Sequence, residues 1–193
     1  MRKLIVGEFI SLDGVIQAPG GEDEDLDGGF THGAWTRPYW HDDLGAHFVS
    51  SMANCDTFLL GRKTWQTHGQ AFEPLPAGDF FGDIMNGKKK YVVSTTLKSA
   101  GLWRNSTIIS KDVVETVKAL KTEPGKNIYL DGSSVLVKTL LSADLVDELS
   151  LLVYPVVLGR GKRLFPEEGR LNWHLVESRS FPTGVVLLRY AKT

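Results

Sequence analysis

The feature that most constrains this chain is a repeated handover, in which a short apolar run ends in glycine, serine, threonine or aspartate and a segment with helical spacing follows. Asp56–Gly61 passes into Arg62-Lys63-Thr64-Trp65, and Asn127–Leu130 passes through Asp131-Gly132-Ser133-Ser134 into an apolar-faced helix over Val135–Ala143. Leu4–Ile10 and Tyr91–Thr95 are further runs of this kind, ending in turn-forming or hydroxyl residues. Strands joined through helices pair in parallel, so a mainly parallel sheet covered on both faces is expected. The final third changes character. Glu148–Leu158, Trp173–Phe181 and Val185–Tyr190 read as strands, the last two joined by Pro182-Thr183-Gly184 as an antiparallel hairpin. The expectation is a three-layer α-β-α arrangement of 193 residues in one domain, long enough to bury a full core.

Between these landmarks, Leu44, Phe48 and Met52 recur every four residues, predicting a helix over Tyr39–Ala53 behind Pro38. A short helix is expected at Phe80–Met85 and a short strand at Ser106–Ile109. Ser110 is the expected cap of a helix over Lys111–Lys121. Residues 17–37 are rich in glycine, carry the acidic run Glu22–Asp27 and hold no sustained period, which marks a long loop.

Composition excludes several functions. Lys plus Arg is 22 and Asp plus Glu is 23, a net charge of −1, so nothing global draws the chain to nucleic acid or an acidic membrane. No apolar stretch reaches the length of a membrane span, and Gly7 and Glu8 interrupt the first apolar run too early for a signal core. The single cysteine, Cys55, removes disulfide frameworks and multi-cysteine metal sites, and places the protein in a reducing cytoplasm. The five histidines, His32, His41, His47, His68 and His174, share no metal-ligand spacing. Gly82–Lys89 resembles a phosphate loop, but Lys89 stands where that loop needs a hydroxyl, and no dinucleotide fingerprint of three glycines occurs.

Three strand ends remain that carry phosphate-friendly groups: Gly61–Thr64, Ser94–Thr96 and Asp131–Ser134. Ligands of open α/β sheets sit at the carboxyl ends of parallel strands, so the three together would frame one nucleotide crevice. Arg62, with Lys63, would pair a dianionic phosphate such as that of NADP, and glycine at 61 and 132 would admit a pyrophosphate to the backbone.

Four blocks carry a family resemblance: ISLDGVI at Ile10–Ile16, DTFLLGRKTW at Asp56–Trp65, KYVVSTTL at Lys90–Leu97, and the long block from Ile128 to Phe165. With them the chain resembles the dihydrofolate reductase-like superfamily, and within it the RibD C-terminal branch, the reductase domain of the bifunctional riboflavin-biosynthesis deaminase-reductase. The resemblance implies a dihydrofolate reductase-like fold with a mixed, mostly parallel sheet of about eight strands. It also implies NADPH as hydride donor and a homodimer, for which the strand from Leu149 to Val157 is the candidate surface. Position by position, Gly61, Arg62, Lys63 and Thr64 match the phosphate-binding turn, Ser94 and Thr95 the strand end beside the adenosine ribose, and Ser110 and Lys111 the loop flanking adenine. Gly132, Ser133 and Ser134 match the pyrophosphate turn, where Asp131 and Ser133 depart from the triple glycine of folate reductases. Val6, Gly7, Ile16 and Gln17 would lie against the nicotinamide.

The implied activity is reduction of a small pterin- or aminopyrimidine-like heterocycle, resembling 5-amino-6-(5-phosphoribosylamino)uracil reductase. The alternatives are a relative that binds a nucleotide without this turnover, or one that uses another cofactor such as a flavin. Proton delivery falls to Asp43, the better match by spacing to Gly61 on the helix after the long loop, or to Glu8, an acid inside an apolar strand. Trp40 and Phe48 are the candidate substrate contacts, in an aromatic group with Phe30, Trp35 and Tyr39. Arg37, Lys162 and Arg163 are the cations available to clamp a substrate phosphate, although the acidic run Glu22–Asp27 disfavours one near the loop.

Overall fold

The computed structural model describes residues 1–193. Its strands are β1 (Leu4–Ser11), β2 (Cys55–Gly61), β3 (Lys89–Val93), β4 (Ser106–Ile109), β5 (Asn127–Leu130), β6 (Glu148–Tyr154), β7 (Trp173–Ser180) and β8 (Val186–Lys192). Its α-helices are α1 (Asp42–Ala53), α2 (Arg62–Phe72), α3 (Phe80–Gly87), α4 (Val113–Thr122) and α5 (Ser134–Ser142). All eight strands form one sheet in the order β4-β3-β2-β5-β1-β6-β8-β7. The six strands from β4 to β6 in that order run parallel, and β8 and β7 add antiparallel pairings at the far edge. No helix is long and apolar enough to cross a membrane.

Alternation along the strands divides the core. Leu4, Val6, Ile128 and Leu130 point to one face, against Val117 and Leu120 of α4 and Leu136 and Leu140 of α5. Phe58, Leu60, Val92 and Tyr129 point to the other, packing with Met52 of α1, Trp65 of α2, Met85 of α3 and Trp103. A third cluster, built by Val15, Phe30, Trp35 and Leu44 against Tyr154 and Leu187, anchors the long loop to the sheet. Tyr154 is its hub, with Trp35 and Tyr39 meeting its ring edge-on at centroid distances of 5.4 and 5.9 Å.

Several boundaries shift from the expected ones for local reasons. Pro38 sits in a 3₁₀ turn at Arg37–Tyr39, and α1 starts only at Asp42, where the His41 ring accepts a hydrogen bond from Asp43 N at 3.2 Å. Ser110 does not cap α4. The cap position belongs to Asp112, in the left-handed region at φ 49°. β6 ends at Tyr154, before Pro155, and lies between β1 and β8. Leu149, Leu151 and Leu152 are buried there, so this strand is core and not the exposed dimer surface expected of it.

Candidate functional site

The carboxyl ends of β2 and β5, adjacent in the sheet, feed directly into α2 and α5. The two turns touch: Gly61 N donates to Gly132 O at 3.1 Å. A Cβ on Gly61 would fall 2.5 Å from Ser133 Oγ, and one on Gly132, at φ +53°, would fall 2.6 Å from Thr64 Oγ1. Only glycine allows this approach. Neither Gly61 nor Ser133, the cap residues of α2 and α5, supplies a side-chain hydrogen bond to its helix. Two helix N-termini thus lie side by side with uncapped first-turn N–H groups, an arrangement that attracts phosphate.

Around this cradle the expected cofactor residues separate. The Arg62 guanidinium, beside the first turn of α2, bonds only Gln66, at 3.0 Å. Lys63 is held by two carboxylates of the acidic loop, with its Nζ 3.1 Å from Asp25 Oδ1 and a closer contact to Asp27. Ser94 turns back on its own loop and accepts from the N–H groups of Thr96 and Leu97 at 3.2 and 3.0 Å. Thr95, Ser110 and Lys111 are exposed beyond the ends of β3 and β4. Val6 is wholly inside the α4–α5 core and Ile16 is buried against the same cluster. Gln17 braces the loop, its amide donating to Asp25 O and Asp27 O at 3.0 Å each and accepting from Lys162 N at 2.9 Å.

Glu8 lies on β1 next to the cradle and accepts a hydrogen bond from Gly132 N at 2.9 Å. Burial first, and then the nearby Asp131 charge, push its pKa well above the usual carboxylate range, against the opposing pull of that N–H. Asp131 meets His68 of α2, Oδ2 to Nε2 at 3.0 Å, and His68 Nδ1 is 2.9 Å from Thr64 O. On the opposite face of β1, the Tyr129 hydroxyl fills the space that a side chain at position 7 would take, 1.7 Å from where a Cβ on Gly7 would lie. Glu8, Asp131, His68 and Tyr129 therefore make a polar floor at the carboxyl end of β5, beside the two helix N-termini, with Glu8 and Tyr129 reaching it from opposite faces of the sheet and the Asp131–His68 pair between β5 and α2.

The structure does not bring Asp43 to this floor. Its carboxylate is exposed beside His41, and it borders a surface depression with His47 and Arg179, while the buried face of α1 presents Leu44, Gly45 and Met52. Phe48 is half-buried against Phe81, with ring centroids 6.2 Å apart, and Trp40 is 57% exposed over Gly45. Phe30 and Trp35 belong to the core. The three cations available for a substrate phosphate are all engaged: Lys162 by Asp25 and Asp27, Arg163 by Asp13, and Arg37 by Glu22 and Gly20 O. Sequence reasoning missed His68 and Tyr129. The available signals were that His68 stands one helical turn after Thr64, and that a glycine in the middle of an apolar strand marks a close approach.

Comparison with known proteins agrees with this architecture. The chain is 34% identical to the uncharacterized protein YyaP of Bacillus subtilis over 98% of its own length and 94% of that protein. A putative riboflavin biosynthesis protein from Shewanella sp. PV-4 superposes with a TM-score of 0.70 at 22% identity, covering 99% of each chain. A dihydrofolate reductase from Enterococcus faecalis, complexed with NADP(H) and RAB-propyl, superposes with a TM-score of 0.64 at 18% identity over 99% of this chain and 96% of that one. The fold is that of the dihydrofolate reductases. The model of the RibD C-terminal domain matches residues 2–187, and with nearly the whole chain covered, the protein belongs to the RibD C-terminal domain family.

Proposed function

We propose that the protein is an NADPH-dependent reductase of a small, unphosphorylated heterocycle, pterin- or aminopyrimidine-like, with a C=N or C=O bond to reduce. The observation that carries this is the pair of uncapped helix N-termini, α2 and α5, closed on each other through Gly61 and Gly132 beside a buried acid, Glu8. The donor set fits a dinucleotide. First-turn N–H groups and the Thr64, Ser133 and Ser134 hydroxyls would hold the diphosphate, and Arg62 would meet a further phosphate on the ribose. When bound, NADPH supplies the hydride. The chain's own part is to orient the acceptor beside the cradle and deliver a proton from the polar floor, where burial favours the neutral form of Glu8.

The neutralised clamp favours a substrate without phosphate. An anionic group would have to displace Asp25 and Asp27 from Lys162, and it would face Glu8, Glu24 and Asp131. The same reading keeps the protein a cytoplasmic homodimer, and sedimentation as a monomer at micromolar concentration removes the dimer.

The test is titration with NADPH and NADH, followed by quenching of the five tryptophans. Micromolar binding that prefers NADPH, weakened about tenfold or more in Arg62→Ala, is the expected result. Binding of neither nucleotide overturns the proposal. NADPH affinity unchanged in Arg62→Ala removes the phosphate role of that residue.

A further inference from the structure

The hydrogen bonds of His68 fix where its protons are. A carbonyl oxygen only accepts, so the 2.9 Å contact with Thr64 O places a hydrogen on Nδ1. On the other side, Nε2 and Asp131 Oδ2 stand 3.0 Å apart, and two bare lone pairs do not make such a contact. One proton therefore lies between them, whether the pair is written imidazolium and carboxylate or imidazole and carboxylic acid. The pair bridges the two sides of the cradle, because His68 rides on α2 and Asp131 immediately precedes the turn into α5. Its outlet is the Asp131 carboxyl, 25% exposed, while the rings of Phe72 and Trp103 back the imidazole at 5.7 and 6.2 Å.

We propose that Asp131 is the proton donor of the reductase and that His68 is the positioning residue that keeps it charged with a proton. The inference rests on the reductase reading and deepens it. As hydride from a reduced nicotinamide reaches the carbon of a C=N or C=O bond, the π electron pair moves to the heteroatom. The heteroatom takes the proton from Asp131, so the acceptor gains two electrons and the dinucleotide loses two. The shared proton passes from His68 Nε2 through the Asp131 carboxyl to the heteroatom, which leaves a neutral imidazole beside a carboxylate, and solvent returns one proton to the pair.

The surroundings suit this role. Glu24 from the long loop, Glu8 from β1 and the Tyr129 hydroxyl from β5 are the other titratable groups that face the pair, while Lys63 on α2 is turned to Asp25 and Asp27. Burial opposes a charge on His68, but the charge and hydrogen bond of Asp131, with Glu24 and the Thr64 carbonyl, outweigh it and raise the imidazole above its ordinary value.

Two measurements on the full chain decide the matter. Imidazole NMR titration is expected to show His68 protonated above pH 6.5 and to show Asp131→Asn lowering that midpoint. Single-turnover oxidation of NADPH is then followed with 7,8-dihydropterin, 7,8-dihydrofolate and 5-amino-6-ribosylaminouracil as acceptors. His68→Gln, which can still donate to Asp131 but titrates no proton, and Asp131→Asn are both expected to slow hydride transfer about 100-fold. Both are expected to lose the wild-type fall in rate toward alkaline pH while keeping NADPH affinity. Wild-type rates and pH profiles in both variants overturn the inference, as does a His68 midpoint at or below 6.5 that Asp131→Asn leaves unmoved. If the wild type binds NADPH and reduces none of the three acceptors, the reductase reading falls, and the NMR titration still decides whether the pair holds its proton. Should His68→Gln fail to fold, Asp131→Asn carries the kinetic test alone.

Discussion

At the scale of single residues, the site is defined by groups that burial has pushed out of their ordinary state. Glu8 is the clearest. Its folded pKa lies well above the ordinary 4.5, so between those values the folded chain keeps a proton that the unfolded chain has lost. Stability contributed by this group is full below 4.5 and falls as pH rises through the folded pKa. Glu8→Gln keeps an acceptor for Gly132 N and titrates nothing, so it should gain stability relative to wild type as pH is raised above 4.5. Denaturant melts of both proteins across that range check this, and parallel stability curves would contradict it. Gly7 makes a second residue-scale prediction. A methyl there collides with the Tyr129 hydroxyl, and the ring cannot withdraw freely because Phe58 packs against it at 6.2 Å. Gly7→Ala should cost about 1–3 kcal/mol by urea denaturation, and a neutral result would mean that Tyr129 has room to move.

At the scale of elements, the long loop is the part whose role changes most between sequence and structure. In the sequence, Glu22–Asp27 reads as an acidic run within a long loop that has no sustained period. In the fold it is strapped down, with Asp25 and Asp27 bridging Lys63 of α2 and Lys162, and those two lysines hold the Asp27 carboxyl at a pKa of about 2. The strap thus occupies a lysine expected to meet the cofactor phosphate. Asn at both positions should release Lys63 and tighten NADPH binding about two- to tenfold at low salt, with the difference shrinking as salt is added. Unchanged or weaker binding would show that Lys63 has no part in holding the cofactor. None of these pairings could be read from the sequence, since partners such as Asp25 and Lys162 lie far apart in the chain and are brought together by the third core cluster. The cradle was legible for the opposite reason. Gly61-Arg62-Lys63-Thr64 and Asp131-Gly132-Ser133-Ser134 are local turn chemistry, and each announces its own helix start. Asp43 was chosen by its spacing to Gly61, and such an interval along the chain fixes neither the face of α1 on which the residue stands nor its distance from the ends of β2 and β5; in the fold its carboxylate is exposed beside His41.

For the whole molecule, the sheet order explains both what the sequence revealed and how stability should be distributed. β5 and β1 lie at the centre, with their apolar residues packed on both faces, and such strands read as nearly continuous apolar runs that sequence inspection locates well. The pairing order itself was only partly legible: β2, β3 and β4 lie side by side in chain order, but β5 inserts between β1 and β2, and nothing local in the sequence announces that insertion. β1, for example, pairs with β5 and β6 and not with β2. β7 is the counterpart at the edge. It pairs only with β8, its register shifts between Leu175 and Glu177, and Leu175 and Val176 are about half exposed. An edge strand with solvent on one side opens in local fluctuations, while β1 and β5 exchange only when the sheet comes apart. Native-state hydrogen exchange should therefore rank the amides of β1 and β5 slowest, at rates set by global unfolding, with those of β7 faster by at least tenfold. If the β7 amides are protected to the global limit, something covers that edge in solution. Repeating the exchange at tenfold lower protein concentration would then separate a second copy of the chain, whose protection fades on dilution, from rigidity intrinsic to the hairpin, which does not.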